Sequence, residues 1–332
     1  MQKNVIYFLM PTHKQKLIVL CGPTAVGKTE LSLQIAERFS CEIVGVDSMQ
    51  VYRYMDIGTA KPTLAERARI PHYLIDIIAP DDNYTLGRFV KDAEEAIRTI
   101  CSHENIPLLT GGTGLYFRGL LEGVFDENSF AVEDSGAGER EEIKSTTHTL
   151  RKRLHAAGND VLHRELGEVD PDSAGRIHPN DTQRLIRALE IYYSTGIPWS
   201  RHLAGQKKKT SPYQVLKIGL TRPRKELYAR IEQRVLYMAE QGLLAEVRKL
   251  LAMGYGKELK TMQSIGYRHI LNFLSGTWTW EQTLEILARD TRHYAKRQYT
   301  WFNSDPEIIW HDVRARDAIF ADIENFLTRD TP

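Results

Sequence analysis

The 332-residue chain has little cysteine: Cys21, Cys41 and Cys101 are odd in number, far apart and outside any Cys-x-x-Cys pair. That excludes a disulfide framework or a zinc module as the organising feature and points to a reducing, cytoplasmic setting. Long apolar runs are missing too. The longest near the start, Val5–Met10, is six residues, against about 7–15 for a secretory signal core and about 20 for a membrane span. Residues 1–16 therefore read as a lead into the first strand, with Met10 as an alternative start. There is no excess of one charge, since Lys+Arg 44 against Asp+Glu 43 leaves +1; affinity for nucleic acid must come from local patches. No internal repeat or low-complexity block appears. What remains is an ordinary soluble composition, 42% hydrophobic and 26% charged, long enough for about two domains.

The first third alternates strand and helix. Leu17–Cys21 is a continuous apolar run ended by Gly22, as in a strand buried on both faces. Lys28–Phe39 carries apolar residues at helical spacing, followed by strands at Ile43–Val46 and Tyr73–Ile78, a helix at Leu86–Ser102, a strand at Pro107–Thr110 and a helix at Leu115–Leu121. This order predicts an α/β fold built on a parallel sheet. Near Gly123 the character changes: residues 126–142 form an acidic, glycine-containing connection. Helices are then expected at Glu141–Ala157, Asp160–Glu168 and Thr182–Ser194, with Asp181 as N-cap. Val215–Leu220 reads as a strand again, followed by helices at Pro223–Gln241, Leu243–Ala252 and Trp280–Phe302. The division is thus 17–122 with 213–332 as one α/β domain and 123–212 as an inserted all-helical module.

Gly22-Pro23-Thr24-Ala25-Val26-Gly27-Lys28-Thr29 is a complete G-x-x-x-x-G-K-[ST] loop between a buried strand and an amphipathic helix. Its glycines let amides curl round a phosphate, the helix N-terminus adds positive potential, Lys28 neutralises a phosphate and Thr29 can hold Mg²⁺. Asp47-Ser48-Met49-Gln50 follows the second strand at the sheet's carboxyl end, where ligands of such sheets lie. There Asp47 serves as a metal ligand or a general base, or else as a turn cap. Gly112-Thr113-Gly114 permits close backbone approach, with the Thr113 hydroxyl or amide available to a phosphate or a transferred group. Ten basic residues (Arg201, Lys207, Lys208, Lys209, Lys217, Arg222, Arg224, Lys225, Arg230, Arg234) face only Glu226 and Glu232 between 201 and 234. Arg289, Arg292, Lys296 and Arg297 alternate with His293, Tyr294, Tyr299 and Trp301. Cations interleaved with aromatics suit a phosphate backbone and splayed bases.

Taken together these stretches resemble the tRNA dimethylallyltransferases (tRNA isopentenyltransferases), from Leu17 to about Phe302. The matching segments are Gly22–Thr29, Asp47–Tyr52, Met55–Pro62, Gly111–Tyr116, His178–Asp181 leading into Gln183–Arg187, Ile265–Arg268, and Thr291-Arg292 through Lys296–Gln298 to Thr300–Phe302. The resemblance implies a P-loop NTPase-like sheet with an inserted tRNA-binding module, acting as a monomer without an obligate protein partner or membrane. It implies transfer of a dimethylallyl group from dimethylallyl diphosphate to N6 of the adenosine 3′-adjacent to the anticodon (position 37). The loop would then serve the diphosphate, with Mg²⁺, rather than ATP hydrolysis. Carried over, Asp47 is the general base, Thr113 lines the channel and Arg222 reaches the diphosphate. Asp47, Ser48, Gln50 and Thr113, with Met49 through its backbone, contact tRNA, as do Arg140, Gln183, Arg184, Leu185, Ile186 and Arg187. The loop alone is equally compatible with a small-metabolite kinase or a transferase acting on free adenine nucleotides.

Overall fold

The structure is a computed structural model and describes residues 14–123, 150, 152–154, 156–205 and 211–329. The chain divides into two units, residues 1–121 with 211–332, and residues 122–210.

The first unit is built on six strands, β1 (Gln15–Cys21), β2 (Cys41–Val46), β3 (His72–Tyr73), β4 (Ile106–Gly111), β5 (Tyr213–Thr221) and β6 (Ile309–Asp312). They lie in the order β3-β2-β4-β1-β5-β6, and every pairing is parallel. Side chains of a strand alternate between faces, and β1 shows the consequence. Leu17, Val19 and Cys21 enter one apolar cluster, while Ile18 and Leu20 enter the other. A strand segment covered on both sides has no polar position, which is why the sequence is apolar from Leu17 to Cys21.

The first face is covered by α3 (Leu86–Ser102), α4 (Gly114–Glu122), α10 (Leu243–Ala252), α11 (Tyr267–Leu274) and much of α12 (Trp280–Phe302). The second is covered by α1 (Lys28–Phe39), α13 (Arg316–Thr328) and the Leu227–Ile231 stripe of α9 (Arg224–Glu240). Side chains such as Phe89, Leu109 and Tyr267 are fully buried, each stabilising the fold by about 1.5–3 kcal/mol. Among the described residues no helix is long and apolar enough to cross a membrane.

Tyr73–Ile78 departs from its strand-like pattern. Only His72 and Tyr73 join the ladder, because Leu74 and Asp76 take left-handed backbone angles (φ 62° and 59°) that turn the chain. The turn delivers the Asp76 carboxylate to Lys61 and Arg67, and Ile78 returns only as a single bridge to Tyr52. The short α2 (Leu64–Arg69) was not anticipated, although its Thr63/Glu66 capping box is written in the sequence.

The second unit is helical where described: α5 (Asn159–Val169), α6 (Pro171–Arg176), α7 (Thr182–Thr195) and α8 (Trp199–Gly205). Asp181 caps α7 by accepting from the Arg184 amide at 3.2 Å. Buried Asp170 ties α6 to α8, accepting from the Ser173 and Ser200 amides at 3.1 and 2.9 Å. These donors hold its carboxyl below the usual range despite the opposing effect of burial. Leu154, Leu162, Leu166, Leu185, Ile186 and Leu189 form the core of this unit. The acidic connection, Arg140, most of the expected Glu141–Ala157 helix and Lys207–Lys209 fall outside the described residues.

Candidate active site

The Gly22–Thr29 loop leaves β1 at the sheet's carboxyl end and opens α1. Gly22 (φ 147°) lies so close to β5 that a Cβ would stand 2.8 Å from the Leu220 carbonyl oxygen. Gly27 (φ 115°) precedes α1 without any side-chain cap, so the first-turn amides stay open to an anion. Lys28 Nζ donates to the Gly22 and Pro23 carbonyls, both at 2.8 Å. Burial, reinforced by the nearby Arg234 charge, pushes its pKa down to about 8.

This loop forms one wall of a cavity of about 610 Å³. Asp47–Gln50, the Gly58–Ala60 loop, Arg230 and Arg234 of α9, the Ser264–Gly266 turn, and Tyr294, Arg297 and Gln298 of α12 form the others. Asp47 Oδ1 accepts from the Met49 and Gln50 amides at 2.8 and 3.3 Å, closing a turn, while among the described residues no hydrogen bond is made to Oδ2. Burial raises its pKa; the two amides and the Lys28 charge oppose that shift. Asp47 is therefore both a turn cap and a carboxylate with one oxygen free toward the cavity.

Three cations share the phosphate end. Arg230 Nε donates to the Ala25 carbonyl at 2.9 Å and Arg234 to the Thr24 hydroxyl at 3.3 Å. Burial and the Arg230 charge lower the Arg234 pKa. Arg222 adjoins the same loop: its Nε donates to Val26 O at 2.9 Å, a Cβ on Gly27 would lie 3.7 Å from its guanidinium, and it lines a recess with Gly27, Glu30, Val313, Arg314 and Arg316. Arg234, one helical turn beyond Arg230, lines the cavity with it. Leu227, Ile231 and Val235 of the same helix are buried, and the adjoining Arg230 and Arg234 line the cavity.

The remaining expectations divide. Thr113 sits beside the cavity: its hydroxyl accepts from the Ser48 amide at 3.2 Å and hydrogen-bonds Tyr294, and both partners line that space. The glycines of its motif are packing positions. A Cβ would come within 1.9 Å of Val46 O at Gly111, 2.1 Å of Gln298 Nε2 at Gly112 and 2.0 Å of the Trp301 ring at Gly114. In the helical unit Gln183 and Arg184 are exposed and Arg187 half-buried, but Leu185 and Ile186 are 0% and 2% exposed. Their side chains belong to the core and offer nothing to a surface.

The long basic stretch is not one stripe either, since Lys217 pairs with Asp305 and Glu307, both at 2.7 Å. On α12, His293, Lys296, Arg297, Thr300, Trp301 and Ser304 surround a groove of about 560 Å³ that shares Arg297 with the main cavity. Tyr299 instead packs inward, its hydroxyl accepting from the Arg222 amide at 3.3 Å.

For a metal, no group of three or more His, Cys, Asp or Glu side chains converges among the described residues. The Thr29 and Asp47 oxygens line the same cavity. Such a sparse oxygen set fits Mg²⁺, which keeps waters and shares substrate phosphates rather than occupying an all-protein cage.

A glycine-rich phosphate loop between β1 and α1, at the carboxyl end of a parallel sheet flanked by helices, defines a P-loop NTPase-like protein. Residues 50–305 match the family described as IPP transferase, and residues 15–78 the family described as isopentenyl transferase. The chain is 47% identical to the tRNA dimethylallyltransferase of Desulfosudis oleivorans, covering 91% of this chain and 92% of that protein. It is 49% identical to tRNA dimethylallyltransferase 2 of Geotalea uraniireducens, covering 90% and 92%. Among solved structures it resembles the tRNA delta(2)-isopentenylpyrophosphate transferase of Staphylococcus epidermidis (39% identity, 94% and 99% coverage, TM-score 0.66). It also resembles a eukaryotic dimethylallyltransferase acting on tRNA (30% identity, 95% and 80% coverage, TM-score 0.78). The chain belongs to the IPP transferase family.

Proposed function

We propose that the protein transfers the dimethylallyl group of dimethylallyl diphosphate to N6 of the adenosine 3′-adjacent to the anticodon (position 37) of tRNA. The observation that carries this reading is that one cavity is lined both by a set of cations and by a carboxylate able to take a proton. Lys28, Arg230, Arg234 and the open amides of α1 gather positive charge there, and Asp47 lines the same space. The cationic lining suits a diphosphate leaving group, whose charge grows as the C1–O bond breaks. As the N6–C1 bond forms, Asp47 takes the N6 proton and diphosphate departs with the C1–O electron pair. Adenine's exocyclic amine is a weak nucleophile, so orientation and leaving-group stabilisation supply most of the rate. The Thr29 hydroxyl would hold Mg²⁺, which would supply charge neutralisation to the diphosphate. The adenosine reaches an enclosed cavity only by leaving its stack. The α12 groove with its cations and Trp301 suits the flanking strand; in the helical unit, exposed Gln183 and Arg184 offer separate polar contacts to tRNA. A tRNA substrate and three unpaired cysteines agree with a cytoplasmic protein working as a monomer.

The test is incubation with Mg²⁺, labelled dimethylallyl diphosphate and unmodified tRNA, followed by nucleoside mass analysis, with AMP as a parallel acceptor. Label on the adenosine beside the anticodon and none on AMP supports the proposal. Label on AMP moves the protein to the free-nucleotide class, and label on neither overturns the reading.

A further inference from the structure

Glu246 of α10 is a carboxylate without an ion-pair partner among the described residues, yet both of its oxygens accept from one loop. Its Oε2 accepts from the Asp56 and Ile57 amides at 2.9 and 2.8 Å, and its Oε1 from the Gly58 amide at 3.0 Å. The Tyr267 hydroxyl, at the start of α11, donates to Oε1 at 2.7 Å. Three consecutive backbone amides and a phenol thus converge on one side chain. Charge-assisted bonds of this kind are the strong ones. Burial and the Glu246 charge both raise the Tyr267 pKa well above its ordinary value, so the phenol remains a donor.

The loop so held is not remote from the chemistry, because Gly58, Thr59 and Ala60 line the cavity. The carbonyls of Thr59 and Ala60 receive the Gln50 side-chain amide at 3.1 and 3.2 Å, and the Gln50 backbone amide donates to Asp47 Oδ1. A continuous line of hydrogen bonds therefore runs from Glu246 through the 56–60 loop and Gln50 to the Asp47 turn. Packing allows little slack in this line. A Cβ on Gly58 would lie 2.5 Å from the Tyr267 ring, and that ring is fully buried. None of these contacts touches Lys28, Arg230 or Arg234 at the phosphate end.

We infer that Glu246, with Tyr267, is a positioning residue for the acceptor half of the cavity: it sets the Gly58–Ala60 wall and, through Gln50, the Asp47 turn that meets the target nucleoside. The inference rests on the proposed transfer to tRNA and adds to it a division of labour, in which α10 and α11 govern the acceptor while α1 and α9 govern the diphosphate. Glu246→Gln replaces one acceptor oxygen by a donor that opposes the backbone amides, and Tyr267→Phe removes one donor while keeping the ring.

The experiment measures, for the full chain, KM for tRNA, kcat, the dissociation constant for inorganic diphosphate and the thermal midpoint. The expected result for Glu246→Gln is a rise of about tenfold in KM for tRNA or an equal fall in kcat, the scale of one lost charge-assisted hydrogen bond. Diphosphate affinity stays within about twofold. Tyr267→Phe shifts the same quantities in the same direction by a smaller factor. A role confined to general stability would move both substrates together with the thermal midpoint, and that outcome overturns the inference. So does a folded Glu246→Gln protein with neither constant changed. Should Glu246→Gln fail to fold, an unshifted tRNA KM in Tyr267→Phe overturns it equally. Absence of any transfer by the unaltered chain overturns the proposed function itself, whereas normal transfer with unshifted variants overturns only the role of Glu246.

Discussion

The side-chain amide of Gln298 donates to the Gly112 carbonyl at 2.9 Å, and a Cβ on Gly112 would stand 2.1 Å from that same nitrogen. The other end of the amide accepts from the Thr24 backbone N–H at 2.8 Å. One buried residue of α12 thus joins the phosphate loop after β1 to the turn after β4. Gln298→Ala leaves a buried donor and a buried acceptor unmatched, each costing about 1–3 kcal/mol. The expected outcome is a lower denaturation midpoint together with weaker inorganic diphosphate binding. A stability equal to that of the unaltered protein in urea titration would contradict this account.

Arg234 and Arg222 separate the cavity from the recess beside it. Arg234→Ala should weaken diphosphate binding by about 10- to 100-fold, the worth of a charge-assisted contact. Arg222→Ala should weaken it by a smaller factor, because one of its donors is already used on Val26 O. Calorimetric titration of both variants with inorganic diphosphate decides the point, and the reverse order of effects would contradict this account.

Asp47→Asn keeps an oxygen able to cap the 47–50 turn but removes the base. Single-turnover transfer should fall by 10²-fold or more, the usual range for a lost general base, with tRNA affinity held within a few-fold. Near-normal single-turnover rates in this variant would remove Asp47 from the proton-transfer step.

Glu42 provides a stability switch at low pH, away from the chemistry. It is 4% exposed and accepts from Tyr73 at 2.6 Å, Asn105 at 2.7 Å and His103 at 2.8 Å. Burial acts to raise its pKa, but these hydrogen bonds prevail and the pKa is lowered from 4.5. A carboxyl depressed in the folded state contributes stability that is present above its unfolded pKa and lost as pH falls through the folded one. Glu42→Gln should therefore cost stability near neutrality and progressively less below pH 4.5. A constant difference between the two proteins across that window would refute the linkage.

Local chemistry made the phosphate loop, the α1 boundaries and the Asp181 cap legible in the sequence, since each is decided within a few residues. Arg234 and Gln298 were not legible as site residues, because their roles depend on which helix face meets the sheet and on partners far along the chain. Gly111, Gly112 and Gly114 were visible as a turn, but the reason for them is the bulk of Val46, Gln298 and Trp301. The Tyr73–Ile78 stretch has the composition of a strand; the ion pairs of Asp76 overrode it. The resemblance marked Gln183–Arg187 as a block, and the fold divides it into outward Gln183 and Arg184 and inward Leu185 and Ile186.

The position of β1 between β4 and β5 has a consequence for biosynthesis. Ile18 pairs with Leu108 on one side and with Leu216 on the other, so the first strand to leave the ribosome finds its second neighbour only after the entire helical unit has been translated. Until then the nascent chain carries a bare edge that is apolar from Leu17 to Cys21, the kind of surface that pairs with the wrong partner. Closing that gap also carries the entropic penalty of a long loop. Completion of the sheet around β1 is thus a late event of synthesis, and the phosphate loop at its end matures only when Tyr213–Thr221 arrives.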